Sequence, residues 1–118
     1  VSDAVLQNGV PQPFLFLYSE RWPGEKNNLL FAQLFPASPQ AQEITILGTA
    51  HYDFSDLPML SPLAPYMGLK GPLNGARALQ ITSDFSVAFF DQALRGQPGE
   101  ILAGPSVSYP EAVFGDLP

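Results

Sequence analysis

Two short apolar runs and two helical patterns account for most hydrophobic positions of the chain. The run FLFLYS at residues 14–19 shows no alternation, as is typical of a strand covered on both faces. The run EITIL at residues 43–47 is rich in β-branched side chains and ends at Gly48, which predicts a second strand. Between them, apolar positions at helical spacing predict a helix over about residues 25–35, which Pro36 stops. A strand, a helix and a strand in about 35 residues predict a right-handed crossover with both strands parallel in one sheet.

A longer amphipathic pattern predicts a second helix over about residues 77–95. Phe85 and Phe89 follow its three-to-four spacing, and Gly96 provides a C-terminal stop. Residues 97–118 follow as a tail. The class is therefore α/β, and the fold is expected to be incomplete on its own, because two strands and two helices leave sheet edges and faces uncovered.

The longest connection, residues 48–75, starts beside the only histidine of the chain. Its second part, from Ser55 to Gly75, holds four prolines and three glycines, which prevents a long regular element. Long loops at the carboxyl end of a parallel strand are a common place for ligand pockets. Its large apolar side chains are expected either to line such a pocket or, more commonly, to roof the core. They are Leu57, Met59, Leu60, Leu63, Tyr66 and Met67.

Composition excludes several classes of function. The 118 residues have the length of one small domain, and 46% of them are hydrophobic, which is enough for a packed core. The net charge of −6 is spread without a basic cluster, so nucleic acid is not an expected partner. The absence of cysteine excludes disulfides, thiolate catalysis and cysteine-based zinc sites. No apolar stretch approaches the roughly 20 residues of a transmembrane segment.

The single histidine, His51, has three interpretations. It could be a partly buried side chain that hydrogen-bonds a loop carbonyl, which is the commonest case. It could form a metal site with Asp53 and Asp56, although a structural zinc site needs four ligands and a second histidine is missing. It could also be the general base of a serine hydrolase, since the α/β-hydrolase order ends with a histidine on the loop after the last strand. The residues alone leave these interpretations open.

Three stretches carry a more specific signal: PQPFLFLYSE, EITILGTAHYDFSDLPML and GLKGPLNGARALQITSDFSVAFFDQALRG. Together they resemble the C-terminal third of the plasma-type platelet-activating-factor acetylhydrolase family and its bacterial dienelactone-hydrolase-like relatives. The most specific motif is G-x-x-H-x-x-F-[SA]-D, from Gly48 to Asp56. The pattern A-F-F-D-x-x-L from Ala88 to Leu94 supports it. The resemblance covers about residues 10–114.

This resemblance implies the C-terminal portion of an α/β-hydrolase that uses no cofactor and no metal. The catalytic histidine of the family falls on His51. Its nucleophile lies in a G-x-S-x-G motif, which no serine of this chain occupies. The triad acid of the family lies upstream of the PQP strand, and Asp3 matches a loop residue after that acid. Asp53 and Asp56 are then expected to form the loop, with Asp56 as a helix cap.

The resulting expectation is a carboxylic ester hydrolase with a Ser-Asp-His triad, acting on short-chain or lipid-like esters. Its partner would be an N-terminal hydrolase segment that carries the serine, the acid and the oxyanion hole, so the isolated chain is expected to be inactive. Substrate-binding residues are expected at Phe54, Leu57 and Leu60. The alternative is a non-catalytic interaction module or a processed fragment with a hydrolase-like shape.

Overall fold

The computed structural model describes residues 2–21, 25–57 and 63–115. The helices and strands are α1 (Asp3–Asn8), β1 (Phe14–Arg21), α2 (Glu25–Leu34), β2 (Ala41–Ala50), α3 (Gly75–Arg95) and β3 (Ala112–Phe114). Two single 3₁₀ turns, His51–Phe54 and Glu100–Leu102, follow β2 and α3 respectively.

The three strands form one mixed sheet in the order β1-β2-β3. β1 and β2 are parallel, as expected, while β3 pairs with β2 in the antiparallel direction. The sequence interpretation treated residues 97–118 as a tail and therefore missed β3. Three residues are too short to show an alternating pattern, and the strand residues that they pair with, Ile44–Ile46, lie about 70 positions earlier in the chain. The α/β class expected from the sequence is confirmed.

Two other elements differ from the expected bounds. Residues 3–8 form the short helix α1, although the resemblance matched Asp3 to a loop residue. β2 continues to Ala50, three residues beyond the EITIL run, and so takes in the start of the expected loop at residues 48–75. Gly48 remains within the strand although its φ is +74°, a conformation that glycine adopts without steric cost.

A helix packs against each face of the sheet. Phe16 and Tyr18 of β1 contact Phe31 of α2, with 4.3 Å between the ring centroids of Phe16 and Phe31. The alternate residues of β1, Leu15 and Leu17, pack instead against the core. That core joins β2, β3 and α3 through Ile44, Ile46, Ile81, Phe85, Leu102 and Ala112. Because successive side chains of a strand point to opposite faces, α2 and α3 lie on opposite sides of the sheet.

The segment before β3 is attached to α3 by a charged network. Arg77 of α3 donates from Nε and Nη2 to the two carboxylate oxygens of Glu111, both at 2.9 Å. Its guanidinium also lies over the ring of Tyr109, 5.3 Å from the centroid. The hydroxyl of Tyr109 donates to Asp84 at 2.9 Å. The network fixes Glu111, whose carbonyl accepts a hydrogen bond from the amide of Leu47 in β2.

We expect Arg77→Ala to loosen β3. The change removes a bidentate, partly buried ion pair and should lower the free energy of opening β3 by about 1–2 kcal/mol. Amide hydrogen exchange at Leu47 and Ala112 measures this opening. Arg95→Ala is the matched control, because its pair with Asp91 is a single exposed contact between neighbours on one helix turn. Equal exchange in the two variants would contradict the assigned role of Arg77.

The same network should respond to acid. The hydrogen bonds from Arg77 lower the pKa of Glu111 below its ordinary value of 4.5, although burial opposes the shift. A pKa that is lower in the folded state stabilises the fold above the ordinary carboxyl pKa, and this stabilisation is lost as the pH falls through the folded-state value. Lower amide protection factors, which are exchange rates relative to the intrinsic rate at the same pH, are therefore expected below pH 4.5 in the wild type, with a smaller acid response in Arg77→Ala. An identical acid response in the wild type and in Arg77→Ala would contradict the assigned role of the Arg77–Glu111 ion pair.

Among residues 2–21, 25–57 and 63–115, no helix is both long and apolar enough to cross a membrane.

Candidate functional site

The carboxyl ends of β1 and β2 lie side by side and form one edge of the sheet. Arg21, the last residue of β1, is paired in register with Ala50, the last residue of β2. His51 follows directly as the first residue of a 3₁₀ turn. A histidine at this point stands where open α/β sheets place ligands, just outside the carboxyl ends of parallel strands.

The imidazole of His51 is accessible to solvent. Its ring meets the ring of Tyr52 edge-on, with 5.1 Å between centroids. His51 also lines two cavities at this edge of the sheet, so that a ligand in either cavity can reach it. This exposure does not fit the first interpretation of the sequence, in which His51 was partly buried.

The turn that carries His51 is held by Asp53, which is only 2% exposed. Its Oδ2 accepts hydrogen bonds from the amides of Ala50, at 2.8 Å, and Gly71, at 2.7 Å. One bond closes the turn, and the other attaches the loop at residues 70–73 to it. Asp53 therefore has the loop-forming role expected from the sequence, and its Oδ1 is buried without a hydrogen-bond partner among the described residues.

The loop at residues 70–73 approaches β2 very closely. The amide of Leu73 donates to the carbonyl of Gly48 at 2.8 Å, and the amide of Gly48 donates to the carboxylate of Glu20 at 2.7 Å. A Cβ on Gly71 would lie 2.1 Å from the Gly48 carbonyl oxygen, so the approach requires glycine. The support of the histidine turn is thus formed by Glu20, Gly48, Asp53 and Gly71.

The aspartates do not form the metal site that the sequence left open. In the part of the chain that the structure describes, no three His, Asp or Glu side chains gather as ligands. Asp53 is committed to backbone amides, while Asp56 is exposed. Most of the segment after Asp56, where a capped helical turn was expected, lies outside the described ranges.

The first cavity has a volume of about 230 Å³ and is largely apolar. Phe54 lines it together with His51, Phe16 and Tyr18. Ser19 also lines it, but this serine is 3% exposed within a strand, and its hydroxyl donates to the carbonyl of Arg21 at 3.4 Å. Because a nucleophile needs an exposed hydroxyl on a sharp turn, Ser19 does not suit that role.

The second cavity is larger, at about 610 Å³, and more polar. His51 and Tyr52 line it, and Arg21 and Lys70 contribute positive charge. Sequence analysis missed both basic residues. Arg21 could have been found from its position at the end of β1, whereas Lys70 enters through a loop whose path depends on Asp53 and Gly71.

Of the two other expected substrate-binding residues, the structure describes only Leu57. Leu57 is half-buried and is not part of either cavity wall, and Leu60 falls outside the described residues. The expectation that the loop's large side chains roof the core is wrong for Leu63, Tyr66 and Met67, which are 60%, 88% and 67% exposed. The fully buried residue of this turn is the small Ala64, which approaches the core closely because it has little side chain.

Comparison with known proteins identifies close similarities over most of the chain. The profile of the family described as "Platelet-activating factor acetylhydrolase, isoform II" matches residues 1–98. The platelet-activating factor acetylhydrolase of Gallus gallus is 31% identical over 96 residues, which are 80% of this chain and 23% of that protein. The enzyme of the same name from Bos taurus is 30% identical over 72% of this chain and 20% of its own length. This chain therefore spans about a fifth of the length of the curated relatives that it matches.

A solved structure resembles the fold as well. The ferulic acid esterase from Streptomyces cinnamoneus superposes with a TM-score of 0.78 at 25% sequence identity. The match covers 92% of this chain and 35% of that one. The α/β architecture described above is thus similar to about a third of an esterase.

Proposed function

Because the chain belongs to the isoform II family of platelet-activating factor acetylhydrolases, we propose that it supplies the catalytic histidine of a serine ester hydrolase. The observation that carries the proposal is the position of His51. His51 is the first residue after β2. Its side chain is exposed and lines two cavities at the carboxyl edge of the parallel strands. The expected substrates are short-chain or lipid-like carboxylic esters.

The proposed chemistry assigns one task to His51. Its neutral imidazole takes the proton of a serine hydroxyl as the oxygen attacks the ester carbonyl. The imidazolium then gives that proton to the departing alcohol, leaving an acyl-serine. In the second half of the reaction, His51 takes a proton from a water molecule as the water attacks the acyl group. His51 then returns this proton to the serine oxygen. The ester is thus cleaved to an acid and an alcohol, and the histidine is regenerated.

The serine, the triad acid and the oxyanion-hole donors are proposed to come from an N-terminal hydrolase segment. No G-x-S-x-G motif occurs in this chain. The acid would hold the second ring nitrogen of His51 and keep the imidazole in its reactive tautomer. Within the described residues β1 pairs only with β2, so its other edge can accept a strand of that segment.

The apolar wall of the first cavity is proposed to contact the acyl group or the alcohol of the substrate. Phe54 lines this wall and stands three residues after His51, on the same 3₁₀ turn. Leu57 and Leu60, on the segment that follows this turn, remain proposed contacts as well. Burial of an apolar substrate group against these side chains would contribute about 25 cal/mol for each Å² removed from water.

The proposal predicts ester hydrolysis by the full-length gene product. Its activity on p-nitrophenyl acetate, butyrate and octanoate should be blocked by a fluorophosphonate probe that labels one serine in a G-x-S-x-G motif. Residues 1–118 expressed alone are the control, and neither turnover nor labelling is expected from them. A folded full-length protein without turnover or labelling would contradict the proposal and favour the non-catalytic interaction module.

A further inference from the structure

The outer face of α3 carries large apolar side chains that no described residue covers. Val87, Phe90 and Leu94 are 60%, 56% and 78% exposed. Their spacing of three and four residues places them in one line along the helix, which we call the α3 stripe. Toward the start of α3 the same line continues with the exposed polar residues Gln80 and Ser83. The apolar part is therefore confined to the C-terminal half of the helix.

The α3 stripe differs from ordinary apolar exposure. Single apolar side chains are common on protein surfaces, whereas a contiguous exposed group indicates an interaction site. Val107 is an example of the single case, since it is 99% exposed in the turn between Ser106 and Tyr109 and has a serine on each side. The three side chains of the stripe are neighbours on one helix face. The stripe therefore has the character of a docking surface.

A groove runs beside the stripe, between α3 and the segment that follows it. Its volume is about 420 Å³. One wall is a face of α3 that includes Asp84, Val87 and Asp91. The other wall is the segment at residues 97–101, together with Tyr109. Because Val87 belongs to both, the stripe and the groove form one continuous surface.

The groove is acidic. Asp84, Asp91 and Glu100 line it, and no lysine or arginine among the described residues does. Asp84 accepts a hydrogen bond from the hydroxyl of Tyr109 at 2.9 Å, which leaves the charge of the carboxylate in place. Asp91 pairs with Arg95, but this exposed contact contributes little and can be exchanged for a contact with a partner's cation. The surface therefore combines apolar side chains with negative charge.

This charge selects the occupant. A second copy of the chain would bring like carboxylates together, and the chain as a whole has a net charge of −6. An anionic lipid surface would be repelled in the same way. A basic segment would be attracted. Asp84 and Asp91 are one heptad apart, about 10 Å along the helix axis, which matches two basic residues one heptad apart on a helix packed alongside α3.

We propose that the α3 stripe and the groove bind a basic amphipathic helix of a partner protein. The apolar side of that helix would cover the stripe, and its lysine or arginine side chains would reach Asp84 and Asp91. The groove shares no residue with the two cavities that His51 lines. The inference therefore goes beyond the proposed ester hydrolysis and does not depend on it.

The test uses the full-length protein and two fluorescein-labelled peptides of about three heptads. Both have leucine at positions a and d, while positions e and g are lysine in one peptide and glutamate in the other. Fluorescence anisotropy should give a Kd on the order of 10 μM for the lysine peptide and at least tenfold weaker binding of the glutamate peptide. High salt should weaken the lysine peptide, because exposed charges are screened. Equal affinities, or no binding of the lysine peptide, would overturn the inference.

Matched variants locate the binding on this surface. Phe90→Ser and Leu94→Ser should each weaken the lysine peptide about tenfold, and both should unfold in urea like the wild type because these side chains are more than half exposed. Val107→Ser removes a still more exposed apolar side chain elsewhere and should leave the Kd unchanged. Asp91→Asn should weaken binding about threefold. Asp3→Asn removes an exposed carboxylate from α1 and should have no effect.

Other occupants are outcomes of the same experiments. A dimer of the full-length protein in sedimentation velocity that Phe90→Ser dissociates would assign the stripe to a second copy and overturn the proposal. Binding to phosphatidylcholine vesicles that Phe90→Ser abolishes, without binding of the lysine peptide, would assign the stripe to a lipid surface and overturn it as well. Lysine-peptide binding that survives both Phe90→Ser and Leu94→Ser would place the contact elsewhere on the acidic chain, which also contradicts the proposal.

Discussion

Replacement of His51 by alanine in the full-length protein is expected to lower kcat for ester hydrolysis by about 10⁴-fold or more, since a triad without its general base retains only binding and oxyanion stabilisation. The fold should survive, because the imidazole is exposed and its ring contact with Tyr52 lies at the protein surface. Initial rates on p-nitrophenyl butyrate and the rate of fluorophosphonate labelling should fall together, as both depend on an activated serine.

Chemical rescue distinguishes catalysis from a structural role. Exogenous imidazole should restore part of the activity of His51→Ala, because the exposed position leaves space for a small base at the same place. Arg95→Gln is the matched surface control and should retain full activity. Wild-type rates in His51→Ala, or a loss of activity explained by a shifted urea unfolding curve, would remove His51 from the proposed triad.

The second large effect is expected from Asp53→Ala. The change leaves the amides of Ala50 and Gly71 without an acceptor in a buried place and should lower the free energy of unfolding by about 2–4 kcal/mol. It should also reduce kcat by about tenfold or more, since the turn that carries His51 loses its attachment to the loop at residues 70–73. Urea unfolding and hydrogen exchange at these two amides measure the first effect, and ester hydrolysis measures the second.

Asp53→Asn is the matched control for this prediction. Asparagine keeps one oxygen that can accept both amides, so its cost should be less than half that of alanine. Unfolding curves of Asp53→Ala that superpose on the wild type would show that the two hydrogen bonds contribute little. Equal losses in the alanine and asparagine variants would show that the charge of Asp53, rather than its acceptor oxygen, stabilises the turn.

Local signals explain why much of the fold could be predicted. The β-branched run at residues 43–47 identified β2 because its pattern lies within one segment. α3 was found for the same reason, and its end at Gly96 follows from the left-handed φ of +64°, which glycine adopts readily. Elements that depend on distant partners were missed. β3 has no pattern of its own and is a strand only because β2 offers it hydrogen bonds.

The support of the histidine turn could likewise be predicted only in part. The loop-forming role of Asp53 was expected once the resemblance placed the family's histidine on His51, but its second partner, Gly71, could not be inferred, because the two are 18 positions apart in a loop rich in proline and glycine. Leu63, Tyr66 and Met67 were expected to line a pocket or, more commonly, to roof the core, on the basis of residue type alone. They are exposed because this turn packs through Ala64.

By itself, the sequence determined the α/β class, the family and the place of His51 after a strand, because strand propensity, helical spacing and the motif from Gly48 to Asp56 are all local properties. Only the tertiary structure decided which charges surround that histidine. Arg21 and Lys70 are 49 positions apart, and they line one cavity because the parallel register ends β1 beside β2 and because Asp53 and Gly71 bring the loop back to the same edge. Contacts of that range depend on sheet register and loop closure, which no short stretch of residues specifies.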